Sequence, residues 1–240
     1  MNVFLFMGTH VPEIRHCLSH LGGQGETEKP LRLCLPEGLE WEAEENTVVE
    51  SYQAESAHWV LNPDAPGSVF LLLDPRLSPV PQLEKLAGDL EKCLLEPVKV
   101  VTCVDCAGME RHPPLRAWYD ACLYYSDIVL LGNRTDSSNR FIREYTREYE
   151  HRCYPCLFYF LKKEGVPDHP LEILTPGTRR LSQLFDLDRQ RPVPEPRGVV
   201  IEASCDLDLE EVETDPFRSP SPQEGLPRPV PDVGEWVVWS

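Results

Sequence analysis

No stretch of this 240-residue chain approaches the ~18–20 consecutive apolar residues that a membrane-spanning helix needs, so no membrane role is expected. The opening MNVFLFMGTH lacks a basic n-region and a small-residue cleavage site, and is not expected to act as a signal peptide. Positive charge is scarce. Lys and Arg number 23 against 40 Asp and Glu, for a net charge of −17. A broad nucleic-acid footprint and attachment to an anionic membrane surface are thereby argued against. No internal repeat is present. The nine cysteines are odd in number, and Cys34 and Cys103 lie inside apolar runs. That pattern suits reduced, buried thiols in a cytoplasmic protein better than a disulfide framework.

What is present reads as an α/β protein. The apolar share of 41 % can build a core, while the 24 prolines exceed ordinary usage and gather towards the end of the chain. Short apolar runs are expected as strands: NVFLFM (2–7), LRLCL (31–35), AHWVL (57–61), SVFLLLD (68–74), VKVVTCVD (98–105), DIVLL (127–131) and CLFYFL (156–161). A further strand is expected in the β-branched end of 40–51. Segments with helical spacing stand between them, over 11–21, 83–95, 115–125, 137–152 and 177–187. Strands alternating with helices predict a doubly wound, mostly parallel sheet with helices on both faces. This domain is expected to cover 1–187. An acidic, Pro-rich tail over 188–240 is expected to be mostly disordered, although its end, GEWVVWS, is apolar enough to dock. Within the tail, PRPVP suits polyproline II recognition or a linker.

In open parallel sheets, ligands sit outside the carboxyl ends of the strands. Read in chain order, four such ends here resemble P-loop GTPases of the CobW type, relatives of the nickel and urease accessory GTPases. NVFLFMGTHVPEIR stands at the phosphate loop, and VFLLLDPRLSPVPQLEKL stands where that family has a buried strand and a catalytic loop. VKVVTCVDC and YSDIVLLGNRTD then follow in the family's order, over roughly residues 2–165. The resemblance implies a P-loop NTPase-like fold and GTP or GDP as ligand. It also implies a guanine-reading corner at Asn133, Arg134 and Asp136, and carboxylates for metal or water at Asp74 and Asp105. A carboxylate can accept from the guanine N1–H and amine, and an asparagine can serve the other edge. Read from the residues alone, Asn133–Asp136 is first a turn in which Asn and Asp bond their own backbone, and only its order along the sheet brings the guanine reading level with that.

The phosphate loop departs from the family pattern. Its G-x-x-x-x-G-K-[ST] closes backbone N–H groups around a β-phosphate and supplies a lysine and a hydroxyl. Starting at Gly8, this chain reads GTHVPEIR, with Glu13 for the second glycine, Ile14 for the lysine and Arg15 for the hydroxyl. Pro12 also removes a donor. A carboxylate ~4 Å from a phosphate charge costs about 4 kcal/mol at an effective dielectric near 20. A whole micromolar complex amounts to about 8 kcal/mol. Leu77, where the family has a glycine, further blocks close approach of the backbone. Mg·GTP is therefore not expected to bind in the conventional way. His10 and His16 flank the loop and, with Arg15, leave a weak anion site open.

Two C-x-x-C pairs, Cys103 with Cys106 and Cys153 with Cys156, have zinc-like spacing. In a parallel sheet they are expected at opposite edges, so zinc is the lesser reading. Three functions follow. One is a non-hydrolysing binding or scaffold protein with a protein partner. The second is a divergent GTP-binding protein or GTP hydrolase in metal-centre assembly. The third is a zinc-binding protein.

Overall fold

A computed structural model describes residues 2–23, 31–39, 41, 47–53, 67–95, 97–152, 156–162, 165–175, 184–185, 215–218 and 227–239. The strands are β1 (Asn2–Gly8), β2 (Leu31–Pro36), β3 (Thr47–Tyr52), β4 (Ser68–Leu72), β5 (Pro97–Asp105), β6 (Ile128–Gly132) and β7 (Leu157–Phe160). They form one sheet in the order β3-β2-β4-β1-β5-β6-β7, and every pairing is parallel.

The unbroken apolar runs are explained by burial on both faces. In β1, Val3, Leu5 and Met7 enter one core layer while Phe4 and Phe6 enter the other. The first layer is closed by α2 (Pro79–Lys92), α3 (Cys106–Arg111), α4 (Pro113–Tyr124) and α5 (Asn139–His151). The second is closed by α1 (Val11–Gly23) and α6 (Pro170–Leu174). Each large aliphatic or aromatic side chain buried there contributes about 1.5–3 kcal/mol. Trp118, Tyr119 and Tyr145, all on helices facing the sheet, are core residues.

Local chemistry moves some boundaries. α2 begins at Pro79, ahead of the expected 83, because proline in a first turn lacks only an N–H that has no helical acceptor. It ends at Lys92, and Leu94 beyond it has a left-handed backbone with φ 53°. α3 was not foreseen. Asp105 starts it by accepting the Gly108 N–H at 2.9 Å, the bond of an N-cap. The expected strand at 57–61 lies outside the described residues. So does the helix at 177–187, except for Leu184 and Phe185, which are buried in the first layer.

The tail is described only over 215–218 and 227–239. Residues 227–239 are docked: Val233 is fully buried and Val237 nearly so, in opposite core layers. No helix among the described residues is long and apolar enough to cross a membrane.

Candidate functional site at the carboxyl edge

Because all seven strands run the same way, the loops after β1, β4, β5, β6 and β7 gather at one edge of the sheet. The loop after β1 is where a phosphate would have to be held. The amides of Thr9, Val11, Glu13 and Ile14 are already engaged. Thr9 N–H donates to the Tyr119 hydroxyl at 3.2 Å, and Val11 N–H donates to the Val238 carbonyl at 2.9 Å. Glu13 N–H donates to His10 Nδ1 at 3.3 Å and Ile14 N–H to the His10 carbonyl at 3.2 Å, so His10 caps α1. Pro12 has no N–H to give. The remaining replacements are also committed inward or sideways. Ile14 is fully buried, and the Arg15 guanidinium lies over the Trp41 ring, 5.4 Å from its centroid.

Glu13 has a structural task. From the first turn of α1 its carboxylate crosses to β6 and accepts the Asn133 N–H at 2.9 Å. It lies so close over Gly132 that a Cβ there would stand 2.1 Å from Glu13 Oε2. Glycine at 132 is what admits the acid. Burial raises the Glu13 pKa; the Asn133 bond and the nearby His10 oppose that rise, and Asp105 adds to it. Asn133, in a left-handed conformation with φ 44°, which asparagine tolerates, donates its side-chain N–H to Asp105 at 2.8 Å. A continuous chain of polar contacts thus runs from α1 through the β6–α5 loop to the cap of α3.

Of the three residues resembling a guanine-reading motif, Asn133 braces loops. Arg134 turns towards β7, with its guanidinium 4.2 Å from the Phe160 ring centroid and one N–H donated to the Leu161 carbonyl at 3.3 Å. Asp136 is exposed. Asp105 bonds Gly108 and Asn133, and its own N–H donates to Tyr119 at 3.0 Å. Asp74, at the end of β4, is buried and receives Arg76 through both Nε, at 2.8 Å, and Nη2, at 2.7 Å. Both candidate carboxylates are consumed by the chain itself.

Between the loops after β1, β6 and β7 lies a cleft of about 410 Å³, within the usual size of a small-ligand site. His10, Glu13 and His16 line one wall, and Asn133, Arg134 and Lys162 the other. Gly165, with φ 70°, closes its floor against α1, where a Cβ would stand 2.6 Å from that of His16.

Comparison with family models, with curated proteins and with solved structures finds no match. The functional reading therefore stands on these contacts.

Among the described residues, the cysteines of the two C-x-x-C pairs do not converge. Cys103 points into the second core layer and Cys106 into the first, so one ion cannot be held by both without rebuilding β5. Cys156 precedes β7 at the opposite edge, and Cys153 lies outside the described residues. Among the described residues, no three or more His, Cys, Asp or Glu side chains are grouped to hold a metal. Burial pushes the Cys106 thiol up to about 12, with Asp105 adding to the rise.

Sequence reasoning missed the partner of the first loop. Val238 lies in a parallel bridge with His10, and its N–H donates to the Thr9 carbonyl at 2.9 Å. The apolar end of the tail was the signal that such a partner existed, but nothing local to it named the loop.

Proposed function

We propose that this chain is a non-hydrolysing binding or scaffold protein on a GTPase-like α/β frame, and that its partners are proteins. The observation that carries the reading is the closure of the β1–α1 loop: the Thr9, Val11, Glu13 and Ile14 amides are engaged within the protein and Val238 is paired across the loop. A triphosphate there would have to break the Val11 and Val238 bonds, displace the tail, and accept an aliphatic Ile14 where it needs a cation. The half-buried Glu13 carboxylate is of the wrong sign for the same ligand. The parallel sheet, and the gathering of the loops after β1, β4 and β6 at one edge, support the frame.

A second reading, a divergent guanine-nucleotide binder of the CobW type acting in metal-centre assembly, has one observation in its favour. The cleft beside Asn133 and Arg134 is open and large enough for a base. Titration with a fluorescent GTP analogue, with and without Mg²⁺, separates the two. The binding-protein reading expects no Mg²⁺-dependent affinity in the micromolar range. Tight, Mg²⁺-dependent binding overturns it.

A further inference from the structure

The docked tail makes the contacts of a bound peptide. Asp232 accepts the Ser78 N–H at 2.8 Å, and Val233 donates its N–H to the Arg76 carbonyl at 3.2 Å. Gly234 passes so near Arg76 that a Cβ would meet the arginine's own Cβ at 3.4 Å. After a single 3-10 turn over Gly234–Trp236, Val237 enters the second core layer and Val238 pairs with the first loop. Two aromatic rings finish the contact. Trp236 stacks on His112 with centroids 6.0 Å apart, and Trp239 lies 5.7 Å from the Arg76 guanidinium.

We infer that the groove between the β1–α1 and β4–α2 loops is a peptide-recognition site, and that residues 232–239 are its exchangeable resident ligand. The seated segment shows which chemistry fits. It is a peptide with an acid, two valines four residues apart that enter opposite core layers, a glycine between them opening a 3-10 turn, and a tryptophan ahead of the second valine. Main-chain hydrogen bonds to Arg76, Thr9 and Val11 hold the segment in place, and the buried seats of its two valines set which sequence fits. A tether raises the local concentration of the segment to about millimolar, so a segment binding at ~10 μM in trans would still be ~99 % seated in cis. A partner protein presenting the same pattern must therefore exceed that advantage, through higher affinity or a second contact. The inference rests on the proposed reading that this edge serves proteins rather than triphosphates.

The test uses the full-length chain carrying Val233→Asp and Val237→Asp, which unseats the resident segment, with a fluorescein-labelled peptide of sequence 227–240 as probe. Saturable binding to the variant, at least tenfold weaker binding to the unaltered chain, and none by a peptide with the same two substitutions are expected. Equal binding to both chains, or none to a variant whose circular dichroism matches the unaltered chain, overturns the inference. If the variant fails to fold, a chain with a protease site inserted between 219 and 226 is cut instead. Exchange of its C-terminal fragment for labelled peptide supports the inference, and a fragment that never exchanges overturns it. A concentration-dependent dimer of the unaltered chain, lost in the variant, would reassign the segment to a second copy and overturn the resident role. Binding of Mg·GTP analogue to the opened chain would sink the proposed function and leave the peptide result to be judged separately.

Discussion

The backbone N–H of Val11 is bonded to the carbonyl of Val238 at 2.9 Å, joining the first turn of α1 to the far end of the chain. In a phosphate-binding loop that amide would face the ligand. Here the position is filled by protein, and the acid and aliphatic side chains that follow are used to fasten neighbouring elements.

Val233 is fully buried, and truncating it to alanine removes two methyl groups from the first core layer. At ~0.8 kcal/mol per carbon plus a cavity cost, Val233→Ala should lose about 1–3 kcal/mol in urea unfolding. An unchanged midpoint would show that the segment is not packed as described.

Gly132→Ala places a methyl group 2.1 Å from Glu13 Oε2 and should cost about 1–3 kcal/mol. In a Glu13→Ala background most of that cost should vanish. A double-mutant cycle with no coupling between the two sites would rule out the Glu13–Gly132 contact.

Glu13 titrates above its usual value of 4.5, with burial the chief cause. A carboxyl whose pKa is raised on folding contributes stability below its unfolded pKa, and that contribution is lost as pH climbs through the folded value. Glu13→Gln keeps an oxygen for Asn133 and cannot titrate. The unaltered chain should therefore gain stability relative to the glutamine variant as pH falls from 7 towards 4.5, measured by paired thermal melts. A gain in the opposite direction would place a lowered pKa at this site.

Arg76→Ala leaves the buried Asp74 carboxylate without its bidentate partner and removes the cation from Trp239. Since the arginine is itself partly exposed, the expected loss is about 1–3 kcal/mol. Arg76→Lys should recover little, because an ammonium cannot reproduce the fork. Full recovery by lysine would mean that only charge matters there.

The layout of the sheet was legible because its strands are buried on both faces, and such strands read as plain apolar runs. β1, β4, β5 and β6 fall within a residue or two of expectation. α3 was hidden because six residues cannot show a helical period, and Asp105 reads equally as the end of a strand. The start of α2 was obscured by Pro79 and Pro81, which break helices everywhere but in a first turn. At the site, the departure of Glu13 and Ile14 from the phosphate-loop pattern was plain from the residues. Their actual partners, Asn133 and the second core layer, were not, because both contacts close only after the parallel sheet brings β1 and β6 to one edge. The docking of Val238 at His10 was hidden for the same reason, across almost the whole length of the chain.

Amide hydrogen exchange at Val11 and Val238 tests the closed loop most directly. Both amides should be protected in the unaltered chain, should lose protection together in the Val237→Asp variant, and should not respond to millimolar Mg·GTP. A Val11 amide that exchanges freely until Mg·GTP is added, and is protected afterwards, would mean that the loop is a nucleotide site after all.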